Sequence, residues 1–387
     1  MRTVSIFIPG RFEDAFLYFG RLVALTENQS LRFYNMERLI ESLEEEFPDA
    51  IPLLTWLFVR NDWLASGQFK SLMQSPELRR GFCALFDLLP NPCVHLRADE
   101  SEENEEDLDV KAKVILDLRV YNQRIYIGAD NGLFHCDYEW SGDTVAAASH
   151  TERRLDARCL NISAKFGAVN ASCGEDGLFT SFDDFPWQRE EDLPKLRKLA
   201  DRSLRTAWLQ NDLVNYRSYG DPLLLKGRQE EVEETRYREK KMIVALGEEV
   251  VPLFDVLKDQ AAAFGFDASS VQFAFNSGNT LFLQTAEGHF YSIGIRSRDE
   301  GYPEVRFARD YEYPGGRILA GQFSRLGVVV EADDRVALFA NGEWLELLRG
   351  EVLSVRAFAG SRRYQNVVSI VKEDGIYLVG IIDENAM

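Results

Sequence analysis

The sequence is poor in the residues that build most catalytic and metal centres. It holds four histidines and five cysteines in 387 residues. The cysteines (Cys83, Cys93, Cys136, Cys159 and Cys173) are odd in number, scattered, and contain no Cys-x-x-Cys pair. A chain this long needs no disulfide framework, so they read as free buried thiols, and the expected compartment is the cytoplasm. Cys93 with His95, and His135 with Cys136, are the close Cys/His pairs. Neither has the spacing of a four-ligand zinc site, so no metal ligand is assigned.

Positive charge is short as well. Lys and Arg total 44 against 63 Asp and Glu, giving a formal net charge of −19. Nucleic-acid binding draws its strength from cations that displace phosphate counterions, and this balance opposes it. It suits instead a protein partner with a basic surface. The run Asp99–Asp109 supplies eight of the acids, which leaves the remainder still at −11. No stretch approaches the roughly 18 apolar residues of a membrane span, and the apolar run in MRTVSIFIPG is too short for a signal-peptide core. Phosphate-cradling GxxxxGK[ST] and GxGxxG motifs are missing.

Nucleophilic catalysis needs a Ser or Cys held against a base. Cys173 lies in a Cys-Gly-Glu-Asp turn with no flanking cation to lower its pKa, so it reads as an inert thiol. Adjacent acids such as Asp183–Asp184 and Asp333–Asp334 carry no information about the spacing a carboxylate pair requires across a substrate. No catalytic, cofactor-binding or metal residue is therefore assigned, and no cofactor, membrane or small-molecule substrate is expected.

What the chain has in abundance is hairpins. Lys113–Asp137 reads as strand, tight turn at Tyr121–Gln123, strand, turn at Asp130–Asn131–Gly132, and strand. Val114, Leu116, Leu118 and Val120 alternate as one face of the first. The pattern recurs, aligned on Gln29, Gly132, Gly177, Asp212, Gly288, Arg335 and Gly375. Glycine, Asn and Asp suit such turns because they tolerate positive φ. The intervals are 103, 45, 35, 76, 47 and 40 residues, four of them near the period of about 40–50 that marks propeller blades. The two long intervals each contain a helical insert. From Gly375 through the chain end and on to Gln29 is 41 residues, again one period. The last unit shows only three strands, and Thr3–Ile8 would supply its fourth.

The units resemble blades of the β-propeller superfamily, most like WD40-type rings. The resemblance covers nearly all of the chain outside the inserts. The Trp-Asp dipeptide of WD40 repeats is absent (Trp140 is followed by Ser), and paired glycines occur once at Gly315–Gly316. It implies an all-β, seven-bladed β-propeller closed by the N-terminal strand. The expected organisation is one propeller over residues 1–387, with a helical insertion at 36–98, an acidic loop at 99–109 and a second helical insertion at 229–264.

In the first insertion a helix over Met36–Glu46 is expected. A second is capped by Asp49, and a last one opens at Ser75–Pro76–Glu77. Helices apolar on several sides must be covered. Either they cover one another, or Trp56, Phe58, Trp63 and Phe69 leave a surface for a partner. Gln229–Lys241 is nearly all charged and reads as a solvated helix, and Asp192–Leu199 as a short linker helix. Together these features point to a non-catalytic protein–protein interaction scaffold or adaptor in a multiprotein assembly. The alternatives are a propeller hydrolase or lyase with a central-face active site, and an acidic regulator that masks a basic protein.

Overall fold

The computed structural model describes residues 1–90, 94–96, 102–108, 110–141, 144–147, 150–182, 196–235, 238–261, 267–298 and 303–384. They form seven sheets, and the chain is an all-β, seven-bladed β-propeller. Strand order runs inner to outer. The first blade is Phe12–Tyr18, Arg21–Thr26, Ser30–Asn35 and Glu102–Asp107; the second is Ile115–Tyr121, Arg124–Ala129 and Gly132–Ser141, with Thr144–Ala147 and Glu152–Leu155 both paired to its third strand. The third is Asn161–Lys165, Ala168–Ser172, Leu178–Ser181 and Arg197–Ala200, and the fourth Arg205–Leu209, Asp212–Tyr216, Pro222–Thr235 and Arg238–Pro252. The fifth is Val271–Ser277, Thr280–Thr285, His289–Arg296 and Glu304–Glu312, and the sixth Ile318–Ser324, Gly327–Ala332, Arg335–Ala340 and Glu343–Arg349. Ser354–Ala357, Val367–Lys372 and Gly375–Ile382 begin the seventh, and Arg2–Pro9 completes it.

Contacts divide the chain into two compact units. One holds Met1–Leu108, Trp140–Ala146 and Gly315–Met387, hence the first, sixth and seventh blades and the long insertion; the other holds Asp109–Glu139 and Ala147–Pro314.

In the first unit the terminal strand pairs antiparallel from Arg2↔Ile382 to Pro9↔Gly375. Its alternation explains the fit: Val4, Ile6 and Ile8 are buried while Thr3, Ser5 and Phe7 are not. Phe7 stacks on Tyr377 at 4.7 Å. Gly375 is required by close approach, because a Cβ there would stand 2.2 Å from the Ile8 carbonyl oxygen. In the second unit Gly132 and Gly177 open third strands under the same constraint, 2.7 Å from Leu155 O and 2.2 Å from Ala200 O. Turn chemistry is thus only part of the reason for glycine at these positions; the outer strand's backbone supplies the rest.

Innermost strands carry a second recurring device. Register shifts lie between Phe12 and Asp14, Ile115 and Asp117, Val271 and Phe273, and Ile318 and Ala320. A bulge re-aims the side chain that follows it. Asp14 accepts from the Ser354 hydroxyl, from both Arg356 Nε and Nη2, and from its neighbour Ala15 N–H. Asp117 accepts from Ile162 N–H (2.6 Å) and Asn161 Nδ2 (3.1 Å), and Asn161 Oδ1 in turn accepts from Thr206 N–H at 3.0 Å. Gln322 bonds Val355 O and Ala357 N–H. Arg205 donates to Ala274 O between the rings of Tyr216 and Phe273, 4.4 and 4.3 Å away, and burial pulls its pKa down to about 10. Within each unit, side chains of one innermost strand therefore satisfy polar groups of the next.

Several expectations are corrected here. Six of the seven aligned residues close the turn between second and third strands, but Asp212 opens the second strand of its blade. The equivalent turn there is Arg217–Asp221, and Pro222 follows Gly177 by 45 residues. The bulge at Ile115/Asp117 breaks the proposed face: Val114 is exposed and Leu116 only half-buried, while Leu118 and Val120 are buried. The acidic run is not a loop, for Glu102–Asp107 pairs with Ser30–Tyr34 as an outer strand. Charge on an outer edge discourages further pairing, which explains an acidic strand at that place.

Gln229–Lys241 is not helical. It lies in the long hairpin Pro222–Thr235/Arg238–Pro252, whose register sets Glu231 opposite Lys241 and Val232 opposite Lys240. That pairing joins residues 6–14 positions apart across the hairpin, which local propensity does not reveal. The helical part of the second insertion is Leu253–Ala261, which buries Leu253, Val256 and Leu257 against the fourth and fifth blades. Of the predicted linker helix Asp192–Leu199, residues 192–195 lie outside the described residues, and Arg197–Ala200 is strand.

Two predictions follow the buried polar groups. Asp14→Ala removes the carboxylate that accepts from Arg356 Nε and Nη2 and should cost ~3–5 kcal/mol in chemical denaturation, most of it recovered by adding Arg356→Met. A loss below ~1 kcal/mol would show that the pair contributes little. His135 is fully buried and both ring nitrogens lack hydrogen-bond partners. Its pKa is lowered, first by burial and then by the Arg154 charge, with Asp137, Arg124 and Glu152 also facing it. The folded state holds the ring neutral while the unfolded chain takes up a proton near pH ~6.5, so stability is lost as pH falls below that value. His135→Phe should flatten the decline between pH ~7 and ~5 in pH-dependent urea melts; an unchanged slope contradicts the assignment.

Candidate partner-binding site

The site is built on the long insertion, which leaves the first blade after Asn35. Asn35 caps the helix Met36–Glu41 by accepting from Glu37 and Arg38 N–H. The next helix, Ile51–Phe58, has no side-chain cap; Ala50, not Asp49, holds the cap position, and Pro52 sits in the first turn. A short helix at Asn61–Leu64 follows, then Gly67–Leu72 capped by Ser66 and Pro76–Ala84 capped by Ser75.

These pieces are too short to be stable alone. Aromatic contacts join them in a closed circuit. Trp56 stacks on Trp63 (centroids 4.5 Å apart), Trp63 meets Phe69 at 4.8 Å, Phe69 meets Phe82 at 5.3 Å, and Phe82 returns to Trp56 at 5.8 Å. Offset and edge-on pairs at such distances contribute ~0.5–1.5 kcal/mol each beyond burial.

The insertion is fastened to the seventh blade. Leu57 and Phe58 press on Gly380, where a Cβ would stand 3.2 and 3.1 Å from their side chains. Asn61, fully buried, donates to Leu57 O and accepts from Asn366 N–H. Arg2 donates to Cys83 O, pairs with Glu384 at 2.6 Å, and lies 5.5 Å from the Phe86 ring. Val94–His95 returns along the terminal strand as a parallel fifth strand of that sheet. Burial and the adjacent Glu384 carboxylate push the Cys83 thiol up, so it is a poor nucleophile at neutral pH.

The four sequence-predicted residues separate into two pairs. Phe58 and Phe69 are interior, 0% and 2% exposed. Trp56 and Trp63 are half-buried, their stacked rings reaching the insertion's surface. Sequence reasoning missed the exposed leucines of the same insertion: Leu72, Leu78 and Leu88 are 45–49% exposed. The available signal was amphipathy, since the helix holding Leu78 buries Phe82 alone. A cavity of about 90 Å³ lies where this insertion meets the sixth and seventh blades, lined by Leu64, Phe69, Arg325, Leu326, Asn366 and Ile382. It holds little more than ordered water. Of the Cys/His pairs, Cys93 lies outside the described residues, and His95 rests edge-on against Phe7 at 5.2 Å. Among the described residues no three His, Cys, Asp or Glu side chains are placed to share a metal ion. Likewise, among them no helix is long and apolar enough to cross a membrane.

No protein-family model and no curated protein sequence matches the chain. Solved structures do. The Cps50 (Swd1) β-propeller domain of Myceliophthora thermophila is similar over 96% of this chain and 97% of that one, at 8% identity and a TM-score of 0.50. Sqt1 of Saccharomyces cerevisiae is similar over 94% and 82%, at 8% identity and a TM-score of 0.44. PorZ, a surface component of the type-IX secretion system of Porphyromonas gingivalis, matches over 97% of this chain at 13% identity and a TM-score of 0.44, and this chain spans 37% of its length. At such identities likeness speaks to fold alone, and it agrees with the seven sheets that make this chain a β-propeller.

Proposed function

We propose that the chain is a non-catalytic scaffold or adaptor of the cytoplasm, and that its long helical insertion docks a protein partner. The observation that carries the reading is the Trp56–Trp63 stack. Two tryptophans are held partly exposed on an insertion whose other rings pack against them. Large aromatic groups kept at a surface by a fixed support are what partner hot spots require, because little entropy is lost when they bind. Leu72, Leu78 and Leu88 extend the apolar area on the same insertion. The enzyme alternative asks for acids and arginines free to act on a substrate. Asp14, Arg356 and Ser354 do come together on innermost strands, but they are spent on one another. The acidic-regulator alternative rests on Asp99–Asp109. Since Glu102–Asp107 is a strand of the first blade, its deletion would damage the fold, and charge-neutralising substitutions are the cleaner test.

Affinity purification from the native host tests the proposal. Leu78→Glu and Leu88→Glu change surface positions and should shift the melting temperature little, whereas Trp63→Ser removes half of the stack. The expected result is a stoichiometric protein partner retained by the parent chain and lost with all three variants. Retention by all three, or no stable partner at all, overturns the reading.

A further inference from the structure

A cavity of about 380 Å³ lies on the other unit, where the fourth and fifth blades meet. Gln210 contributes from the first turn of the fourth blade, Asn279 from the first turn of the fifth, and Arg296, Arg306 and Phe307 from the fifth blade's two outer strands. The floor is built with care. Phe307 pairs with Gly294 across those strands, and its ring lies flat where a side chain would otherwise stand: a Cβ on Gly294 would be 2.3 Å from the ring. Arg309 lies 5.6 Å from the same ring, and Phe307 remains 41% exposed.

Three donors around this floor have no partner among the described residues. Among the described residues the Gln210 and Asn279 side-chain amides make no hydrogen bond, and Arg296, exposed, makes no ion pair. Arg306, by contrast, lies 3.7 Å from Glu304, which also pairs with Arg298 at 3.3 Å. Arg296 thus offers a positive charge beside two neutral donors and an apolar shelf, while Arg306 and Arg298 share the single charge of Glu304 and Arg309 lies by the ring. A carboxylate suits that set, because a planar anion can take a guanidinium and two amide donors together. The set also stands out in a chain of net charge −19.

We infer that this cavity binds an aspartate or glutamate side chain of an extended partner peptide, with the carboxylate on Arg296 and the amides of Gln210 and Asn279, and the peptide's apolar part on Phe307. A peptide fits better than a small metabolite, because metabolite sites enclose most of their ligand, whereas here the shelf continues into solvent. The inference deepens the scaffold reading and rests on it, but it uses a surface separate from the tryptophan stack.

The test is calorimetric titration of the full chain with the blocked peptide acetyl-Ser-Glu-Phe-Glu-Ser-amide, its Gln counterpart, and glutarate. Because the protein's overall charge repels all acids, non-specific attraction works against a false positive. The Glu peptide should bind about tenfold or more tightly than the Gln peptide, and weaken as salt rises from about 50 to about 300 mM. Arg296→Gln should remove about tenfold of that affinity, Gly294→Ala should weaken it by lifting the ring, and Arg349→Gln, an exposed arginine elsewhere, should change nothing. Equal binding of the Glu and Gln peptides, binding indifferent to Arg296→Gln, or none at millimolar peptide overturns the assignment. Glutarate binding as tightly as the peptide overturns the peptide half of it. Loss of partners with the tryptophan variants is read separately, so the two proposals fail independently.

Discussion

Pairing of the first strand with the last three organises everything else in the first unit. Without Arg2–Pro9 the seventh sheet would present the edge of Gly375–Ile382, with a row of unpaired backbone groups, to solvent. The insertion would lose its seat too, for Arg2 holds its last helix and Val94–His95 pairs along the terminal strand. The exclusion of any side chain at Gly375 shows how closely the two chain ends are packed. A sheet shared by head and tail makes the fold all-or-none: the last blade cannot be completed until the first residues have come back to it. Long-range pairing of this kind costs loop entropy before it returns hydrogen bonds, and slow folding is the usual consequence.

Blade-to-blade adhesion uses a different principle. Within each unit apolar burial holds neighbouring sheets, as with the cluster around Tyr216, Leu224, Leu257 and Ile293. Apolar contact alone is tolerant of sliding. Asp117, Asn161 and Gln322 fix the offset, because each bonds defined backbone positions of its neighbour, and Asp14 fixes it through the Ser354 and Arg356 side chains. Buried polar links of this sort contribute modestly when formed and cost much when half removed.

Much of this was legible in the sequence. Turn spacing gave the blade number and the closing strand, because a hairpin is local and its residues are few. The mistakes came where local patterns are degenerate. Trp208–Val214 carries the signature of any hairpin, so Asp212 could not be told from a turn one strand later. The arms Gln229–Thr235 and Arg238–Met242 each have good helix formers, and only their pairing across the hairpin marks them as strands. Asp14 and Asp117 were overlooked although the signal was present: an acid inside an apolar strand, as in FEDAFLY and ILDLRVY, has to be satisfied by something. Trp56, Phe58, Trp63 and Phe69 were read as one group, since helices of four to eight residues do not reveal which side faces inward. The cavity over Phe307 had no chance of being seen, as its walls come from positions 210, 279–280, 294–296 and 306–307.

The two proposed docking features lie on irregular parts of the fold: an aromatic stack on an insertion in one unit, and a cationic notch between two blades in the other. Both depend on blades that do not open. Hydrogen exchange followed at the level of peptides addresses that dependence most directly. Amides of residues 2–9 should exchange as slowly as those of 375–382, and the two segments should lose protection together as denaturant is added. Rapid exchange of residues 2–9 while 375–382 stay protected would contradict the head-to-tail sheet on which the account rests.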